Sequence, residues 1–230
     1  MDVAYFREKR AGPEAVIEEA VADRLADFVS SDARVVLAAG SPPIGGGLPD
    51  LIVVSCEQEV FALAHVSLLA AEILAYLRAV RRANIDTITE RVRRPRAVIL
   101  RSLDELTEVK AVQRGGNAFS LNQVWREIMP EVVTIEAKVS KWRYAVSQAA
   151  RNRLFSHRSF VAFPAKLALK IRDEPIISDL GLGILSVDQC GGVEVTKKPR
   201  RTRPRIWVYY YKLASLLATQ HGGEFRDLSR

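Results

Sequence analysis

The chain has 230 residues, of which 48% are hydrophobic, so it is long enough to fold around a substantial core. Its formal net charge of +7 and pI near 9.6 favour an anionic partner, and nucleic acid is the commonest of these. Two cysteines are too few for a disulfide framework or a cysteine-based zinc site. No stretch approaches the ~18 apolar residues of a membrane span. We therefore expect a cytoplasmic protein with no membrane partner.

The first elements in chain order are a helix and two strands. Apolar residues at helical spacing, Ile17, Val21, Leu25 and Phe28, predict one buried helical stripe after Gly12-Pro13. The valine-rich runs at 33–39 and 51–55 predict buried strands, and the second begins directly after Pro49-Asp50. The glycine-rich segment 40–47 between them lacks the Gly-Lys-Ser/Thr ending of a phosphate loop, so we interpret it as a connector.

The middle of the chain has the element order of a winged helix-turn-helix. Helical spacing returns over 64–80, Asn84 can cap a short helix that ends near Val92, and Pro95 can open another helix. The segment 112–121 then predicts a hairpin with Gly115-Gly116-Asn117 at its tip. This order resembles the winged-helix domains of bacterial transcription regulators, which bind DNA.

Positive charge is concentrated in two windows of the sequence. Residues 78–114 hold ten basic and five acidic residues, and residues 197–205 hold six basic residues and no acid. In the first window we expect the helix 94–109 to be the recognition helix, with arginines that contact phosphates or guanine edges in double-stranded DNA. These predicted contacts are Arg93, Arg94, Arg96, Arg101 and, in the wing, Arg114. The second window offers a further set of backbone contacts from Lys197, Lys198, Arg200, Arg201 and Arg203, or is simply a solvated loop.

After Pro130 the apolar residues alternate, which predicts a strand over 132–139. Alternation places Glu136 and Lys138 on the same face of that strand. Asp50, at the start of an earlier core strand, is the natural second carboxylate. Two carboxylates beside an ammonium group can hold Mg²⁺, with Mn²⁺ as a substitute, against a phosphodiester. The carboxylates favour the charged lysine whereas burial opposes it, so its protonation state stays open at this point.

The remaining elements alternate between helix and strand. We predict a helix over 141–154, strands over 159–163 and 183–188, and a glycine-bearing turn before Val193. The segment 206–211, with the sequence IWVYYY, has a strand-like composition, and we expect a short helix after it.

Taken together, Pro49-Asp50, Glu136-Ala137-Lys138, the following helix and the two later strands resemble the PD-(D/E)XK, or restriction-endonuclease-like, superfamily. The resemblance covers residues near 13–55 and 130–195. It implies an α/β fold with a mixed central sheet flanked by helices, into which the winged-helix domain is inserted. The implied domains are a nuclease-like core, 1–60 and 128–230, and an inserted DNA-binding domain, 61–127. The insertion explains why Asp50 and Glu136 lie so far apart in the chain.

The resemblance also implies the roles of individual residues. Asp50 and Glu136 would hold the metal, Lys138 would assist the attacking water, and Gln148 matches the glutamine on the helix after the Glu-x-Lys strand. The family's upstream helix glutamate matches Glu14 or, as second choice, Glu18, because both lie on or beside the apolar face of the first helix.

Two functions from different classes follow. The first is a Mg²⁺-dependent DNA endonuclease whose winged helix holds or selects the duplex, with a homodimer as a plausible form for cutting both strands. The alternative is a DNA-binding regulator or accessory factor on a nuclease fold that has lost catalysis. A nuclease for RNA or branched DNA is less favoured, because the sequence has no strong aromatic and basic platform for single strands.

Overall fold

The computed structural model describes residues 2–8, 11–29, 34–45 and 48–222. The strands are β1 (Val3–Tyr5), β2 (Val35–Gly40), β3 (Leu51–Cys56), β4 (Ala83–Asn84), β5 (Val112–Gly115), β6 (Ala118–Leu121), β7 (Glu131–Ala137), β8 (Arg158–Pro164), β9 (Gly183–Val187) and β10 (Val193–Lys197). The α-helices are α1 (Pro13–Ala22), α2 (Leu69–Ala79), α3 (Ile85–Val92), α4 (Arg96–Glu108), α5 (Trp142–Asn152), α6 (Ala165–Ile171), α7 (Pro175–Asp179) and α8 (Trp207–His221). Short 3₁₀ helices span Leu25–Phe28, Gln58–His65 and Val124–Glu127.

The chain divides into two compact units. The first contains the residues up to Cys56 and the segment Glu131–Ile206, and the second contains Glu57–Pro130 together with α8. The chain therefore leaves the first unit after β3 and returns to it at β7. The expected core segment 128–230 differs from this division at its C-terminal end, because α8 packs on α2 and on the 3₁₀ helix Gln58–His65 within the second unit.

The first unit is built on a seven-stranded mixed sheet in the order β1-β2-β3-β7-β8-β9-β10. Strands β7, β8 and β9 are parallel, whereas β3 is antiparallel to β7. The stripe predicted from Ile17 to Phe28 is buried against one face of the sheet. Helices α5, α6 and α7 cover the other face, where Val146, Phe163 and Ile184 are buried. The expected α/β class, with a mixed central sheet flanked by helices, is confirmed.

Strand β7 is buried on both faces, which determines the surroundings of its polar residues. Val133, Ile135 and Ala137 pack in the α1 core, and the alternate residues Thr134 and Glu136 are also fully buried. A buried carboxylate is costly unless it is neutralised or paired, so Glu136 requires a specific chemical explanation.

The second unit contains α2, α3, α4, α8 and the three-stranded antiparallel sheet β4-β6-β5. The Asn84 side chain accepts a hydrogen bond of 2.9 Å from the Thr87 amide, so it caps α3 as predicted. Helix α4 begins directly after Pro95, and β5 and β6 form the predicted hairpin. Gly116 at its tip has a φ of 62°, which favours glycine.

Several sequence-based predictions for the elements are wrong or incomplete. Residues 206–211 were expected to form a strand, yet from Trp207 they belong to α8. The helical spacing of the buried residues Tyr210, Leu213, Leu217 and His221 overrides the strand preference of the aromatic residues. The helix predicted over 64–80 is shorter in the structure, where α2 spans Leu69–Ala79 and the 3₁₀ helix Gln58–His65 overlaps the predicted range only at its end. Strand β1 and helices α6 and α7 were not predicted.

Candidate active site

Asp50 meets the end of β7 because β3 and β7 are antiparallel. The register pairs Leu51 with Ile135, so the residue that precedes β3 lies beside the last residues of β7. The Oδ2 atom of Asp50 accepts a hydrogen bond of 2.8 Å from the Ala137 amide and another of 2.8 Å from Nζ of Lys138. Two residues 88 positions apart in the chain thus form a direct ion pair at one edge of the sheet.

Lys138 is held by a second carboxylate from α1. Its Nζ lies 3.6 Å from Oε2 of Glu14 and donates a hydrogen bond of 2.9 Å to the Ala137 carbonyl. Burial of the ammonium lowers its pKa, but the charges of Asp50, Glu14 and Glu136 outweigh burial, so the pKa of Lys138 is raised. The sequence left the protonation state of Lys138 open, and these surroundings favour its charged form.

Of the two candidate glutamates on α1, only Glu14 pairs with Lys138. Glu14 follows Pro13 in the first turn of α1, where a carboxylate is stabilised by the helix dipole. Glu18 lies one turn further along and forms a hydrogen bond with Tyr5, and burial, followed by the charge and the hydrogen bond of Glu18, raises the pKa of the tyrosine. Glu14 is therefore the one of these two glutamates that contacts Lys138.

Glu136 is buried beside this ion pair but is not bonded directly to it. Its Oε1 accepts a hydrogen bond of 2.7 Å from Nδ2 of Asn152, and its buried Oε2 has no hydrogen-bond partner in the described part of the chain. Burial and the charge of Asp50 raise the pKa of Glu136 to about 8, although Asn152, Lys138 and Arg151 act in the opposite direction. The carboxyl group is therefore largely protonated at neutral pH unless a cation binds it.

The helix after β7 supplies two amide side chains to the same region. Gln148 and Asn152 are one helical turn apart on α5, so they share a face. Oε1 of Gln148 and Oδ1 of Asn152 are buried and have no hydrogen-bond partner among the described residues. Asn152, which contacts Glu136, was not predicted. Its position could have indicated this contact, because Asn152 lies four residues after Gln148 on the helix that packs on the face of β7 that carries Glu136.

A cleft of about 610 Å³ opens beside Lys138 and Asp50, between the N-terminal end of α1 and the residues after β1. Its charged lining residues are Glu8, Glu14, Glu18, Asp50, Arg7 and Lys138. Among the residues that the structure describes, four carboxylates and two basic groups line this cleft, so these groups together favour a divalent cation over a phosphate without such a cation.

The residues able to hold a metal are few. The described residues include no group of three or more His, Cys, Asp or Glu side chains placed to bind one ion. Mg²⁺, however, is commonly bound through one or two carboxylates and keeps several water ligands. Asp50, Glu136 and the Ala137 carbonyl provide such a set, and the unpartnered Oε2 of Glu136 is the buried oxygen with free capacity.

The arginines predicted to contact DNA in the second unit are exposed. Arg93, Arg94 and Arg101 form no ion pair within the described ranges, whereas Arg96 pairs with Asp86. The Arg114 guanidinium lies 5.7 Å from the centre of the Phe119 ring. Four of the five predicted contacts therefore have guanidinium groups that no carboxylate in the described part of the chain pairs with.

The basic segment after β10 is less uniform than the sequence suggests. Nζ of Lys197 donates hydrogen bonds to the Arg172 carbonyl and to Ser178, and Arg201 forms an ion pair of 3.1 Å with Glu131. These two side chains are committed to contacts within the unit. The remaining predicted contacts, Lys198, Arg200 and Arg203, are exposed and have no ion pair in the part that the structure describes.

Across the described residues, no helix combines the length and the apolar character needed to cross a bilayer.

Comparisons with known proteins identify no relative. No family model, no curated protein and no solved structure matches the chain.

Proposed function

We propose that the protein is a divalent-metal-dependent DNA endonuclease that hydrolyses phosphodiester bonds. The observation that carries the proposal is the direct contact of Asp50 and Lys138 at one sheet edge, beside a buried Glu136 with an unpartnered oxygen. These are two carboxylates and one ammonium group from distant parts of the chain. Their juxtaposition suits Mg²⁺, or Mn²⁺ in its place, and a phosphate group.

Each residue of the site has a chemical role in this proposal. A bound metal would stabilise the negative charge on the phosphate and would lower the pKa of a water molecule that it binds. Asp50 and Glu136 provide anionic oxygens, and Asn152 holds Glu136 in one orientation through its 2.7 Å hydrogen bond. Lys138, held in its charged form by Asp50 and Glu14, can orient the attacking water or bind the scissile phosphate.

The proposed DNA-binding part is the winged helix-turn-helix formed by α3, α4 and the β5–β6 hairpin. In this assignment α4 is the recognition helix. Its exposed N-terminal half carries Arg96 and Arg101 and follows Arg93 and Arg94, whereas acidic residues are confined to its C-terminal half. This charge distribution supports entry of the N-terminal half into the major groove, with Arg114 in the wing contacting the backbone.

The test is cleavage of plasmid DNA with Mg²⁺ or Mn²⁺ by the wild type, Asp50→Asn and Lys138→Gln. We expect both variants to lose cleavage by about a hundredfold or more, because each removes a group that acts on the phosphate or its metal. Glu19→Gln is the matched control, since Glu19 is an exposed acid on α1 outside the ion pair. With folding verified by circular dichroism, undiminished cleavage in the two site variants would contradict the proposal.

A second candidate function is a DNA-binding regulator or accessory factor on a fold without catalysis. It is favoured by the lack of a three-acid group among the described residues, and by Lys138 already neutralising Asp50 and Glu14. Calorimetric titration with Mg²⁺ or Mn²⁺ separates the candidates. Binding that disappears in Asp50→Asn supports the nuclease, whereas absence of metal binding together with retained duplex binding supports the regulator.

A further inference from the structure

A second concave site lies in the first unit, between the C-terminal end of α5 and the segment that follows β10. Its volume is about 380 Å³, which is at the lower end of the roughly 300–1,000 Å³ of small-molecule sites. We define it as the arginine pocket by its polar lining residues, Arg153, Asp179, Arg200, Thr202, Arg203 and Arg205. None of these residues contributes to the ion pair of Asp50 and Lys138.

The arginine pocket has an excess of positive charge that the residues described by the structure do not neutralise. Four guanidinium groups face one carboxylate, Asp179, and none of the four forms an ion pair within the described ranges. Burial, together with the charges of Arg200 and Arg205, lowers the pKa of Arg153. The repulsion among these groups would be relieved by a bound anion.

Arg153 is the least exposed of the four arginines. Its Nη2 donates a hydrogen bond of 3.1 Å to Oγ1 of Thr202, and its Nε is buried without a hydrogen-bond partner in the described chain. A carboxylate is the usual partner of a guanidinium group in this situation, but no carboxylate of the described segments is in contact with Arg153. Arg153 is therefore a positively charged, half-buried group whose capacity to bind an anion is not used by these segments.

The backbone around the pocket is fixed by hydrogen bonds from the segment after β10. These bonds are Arg200 N to Gly181 O at 3.0 Å, Thr202 N to His157 O at 2.9 Å and Arg205 N to Leu154 O at 2.8 Å. Gly181 has a φ of 62°, and a Cβ atom there would lie 3.0 Å from Nη1 of Arg153 and 3.0 Å from Cβ of Arg200. Glycine therefore lets the arginine side chains approach this turn, and the pocket exists before any ligand binds.

The arginine pocket begins next to the residue of α5 that contacts Glu136. Arg153 directly follows Asn152, and Asn152 donates a hydrogen bond of 2.7 Å to Oε1 of Glu136. The pocket is nevertheless a separate recess, because its lining residues differ from those of the cleft beside Asp50 and Lys138.

We propose that the arginine pocket binds a phosphate monoester, carried either by a small molecule or by the end of a nucleic-acid strand. The planar guanidinium fork matches the oxygens of a phosphate group and binds them in pairs. A monoester carries about two negative charges near neutral pH, which suits a lining with several uncompensated guanidinium groups better than the single charge of a diester does. A monoester is also terminal, so it can enter a recess that a phosphate within a continuous duplex backbone reaches less readily. The inference does not depend on the proposed nuclease activity.

The test is isothermal titration calorimetry without divalent metal, using a short single-stranded oligodeoxynucleotide with or without a 5′-phosphate, and inorganic phosphate as the small-molecule probe. The variants are Arg203→Gln, an exposed position whose side chain has no structural hydrogen bond in the described chain, and Arg153→Lys, which keeps the charge but removes the guanidinium fork. Lys170→Gln on α6 is the matched control, because it removes one exposed positive charge outside the pocket. Folding of each variant is checked by thermal unfolding.

We expect at least one phosphate probe to bind the wild type and to bind Arg203→Gln and Arg153→Lys at least about tenfold more weakly, while Lys170→Gln is unchanged. Phosphate-dependent binding of the oligonucleotide alone assigns the pocket to strand ends, and binding of inorganic phosphate assigns it to small phosphorylated ligands. Equal binding of the wild type and Arg203→Gln, or no phosphate-dependent binding by the wild type, would overturn the proposal.

Discussion

The buried carboxyl group of Glu136 makes the stability of the protein depend on pH in a direction opposite to that of most acidic residues. Its pKa is about 8 in the folded protein, compared with an ordinary value of 4.5. Between these two values the folded state holds a proton that the unfolded state has released. The contribution of Glu136 is therefore fully present below about 4.5 and is lost as the pH rises through about 8.

Replacement by glutamine removes this pH dependence. One proton corresponds to a slope of roughly 1.4 kcal/mol per pH unit, so the wild type loses up to a few kcal/mol across this range. In Glu136→Gln the amide oxygen can still accept the hydrogen bond from Asn152, and no ionisable group remains. The variant should therefore gain stability relative to the wild type as the pH rises from about 5 to about 8.

The measurement is urea unfolding of both proteins at about pH 5 and about pH 8, with a chelator present to exclude divalent cations. Glu131→Gln is a control on the same strand. Its carboxylate pairs with Arg158 and Arg201, so its loss should lower stability to a similar extent at both pH values. If the wild type and Glu136→Gln change in parallel between the two conditions, Glu136 is already ionised in the folded protein and the reasoning fails.

Three further changes test other parts of the structure. Asn84→Ala removes the cap of α3 and should lower the free energy of unfolding by about 1 kcal/mol in a urea titration; an unchanged value would mean that the cap is not formed in solution. Tyr210→Phe removes the hydroxyl that accepts from the Met129 amide at 2.6 Å and donates to its carbonyl at 2.8 Å. It should cost about 1–3 kcal/mol in the same assay, and a neutral effect would argue against both hydrogen bonds. Arg101→Gln should reduce the slope of log affinity for duplex DNA against log salt by about 1, whereas Lys170→Gln should not; equal slopes would remove Arg101 from the DNA contacts.

Local patterns were sufficient for the elements whose stability is local. Asn84 and Pro95 indicated where α3 and α4 begin, because capping and proline geometry act within one helical turn. Alternation over residues 132–139 indicated a strand, of which β7 forms the part up to Ala137, because side chains on a strand point to opposite faces in turn. The pairing of Asp50 with Lys138 was proposed from a motif, and the register of β3 against β7 accounts for it physically.

Other features depend on contacts between residues that are distant in the chain. The sequence 206–211 suits a strand by composition, and it becomes helical from Trp207 because α8 buries its stripe against α2 and the 3₁₀ helix Gln58–His65. The contact of Asn152 with Glu136 depends on how α5 packs on β7, and the arginine pocket depends on how the segment after β10 folds back on α5. The sequence by itself therefore determined the caps, the periodic elements and the residue types of the candidate site. The tertiary structure decided which side chains meet and which lose contact with water, because burial and pairing, and the pKa values that follow from them, depend on neighbours far away in the sequence.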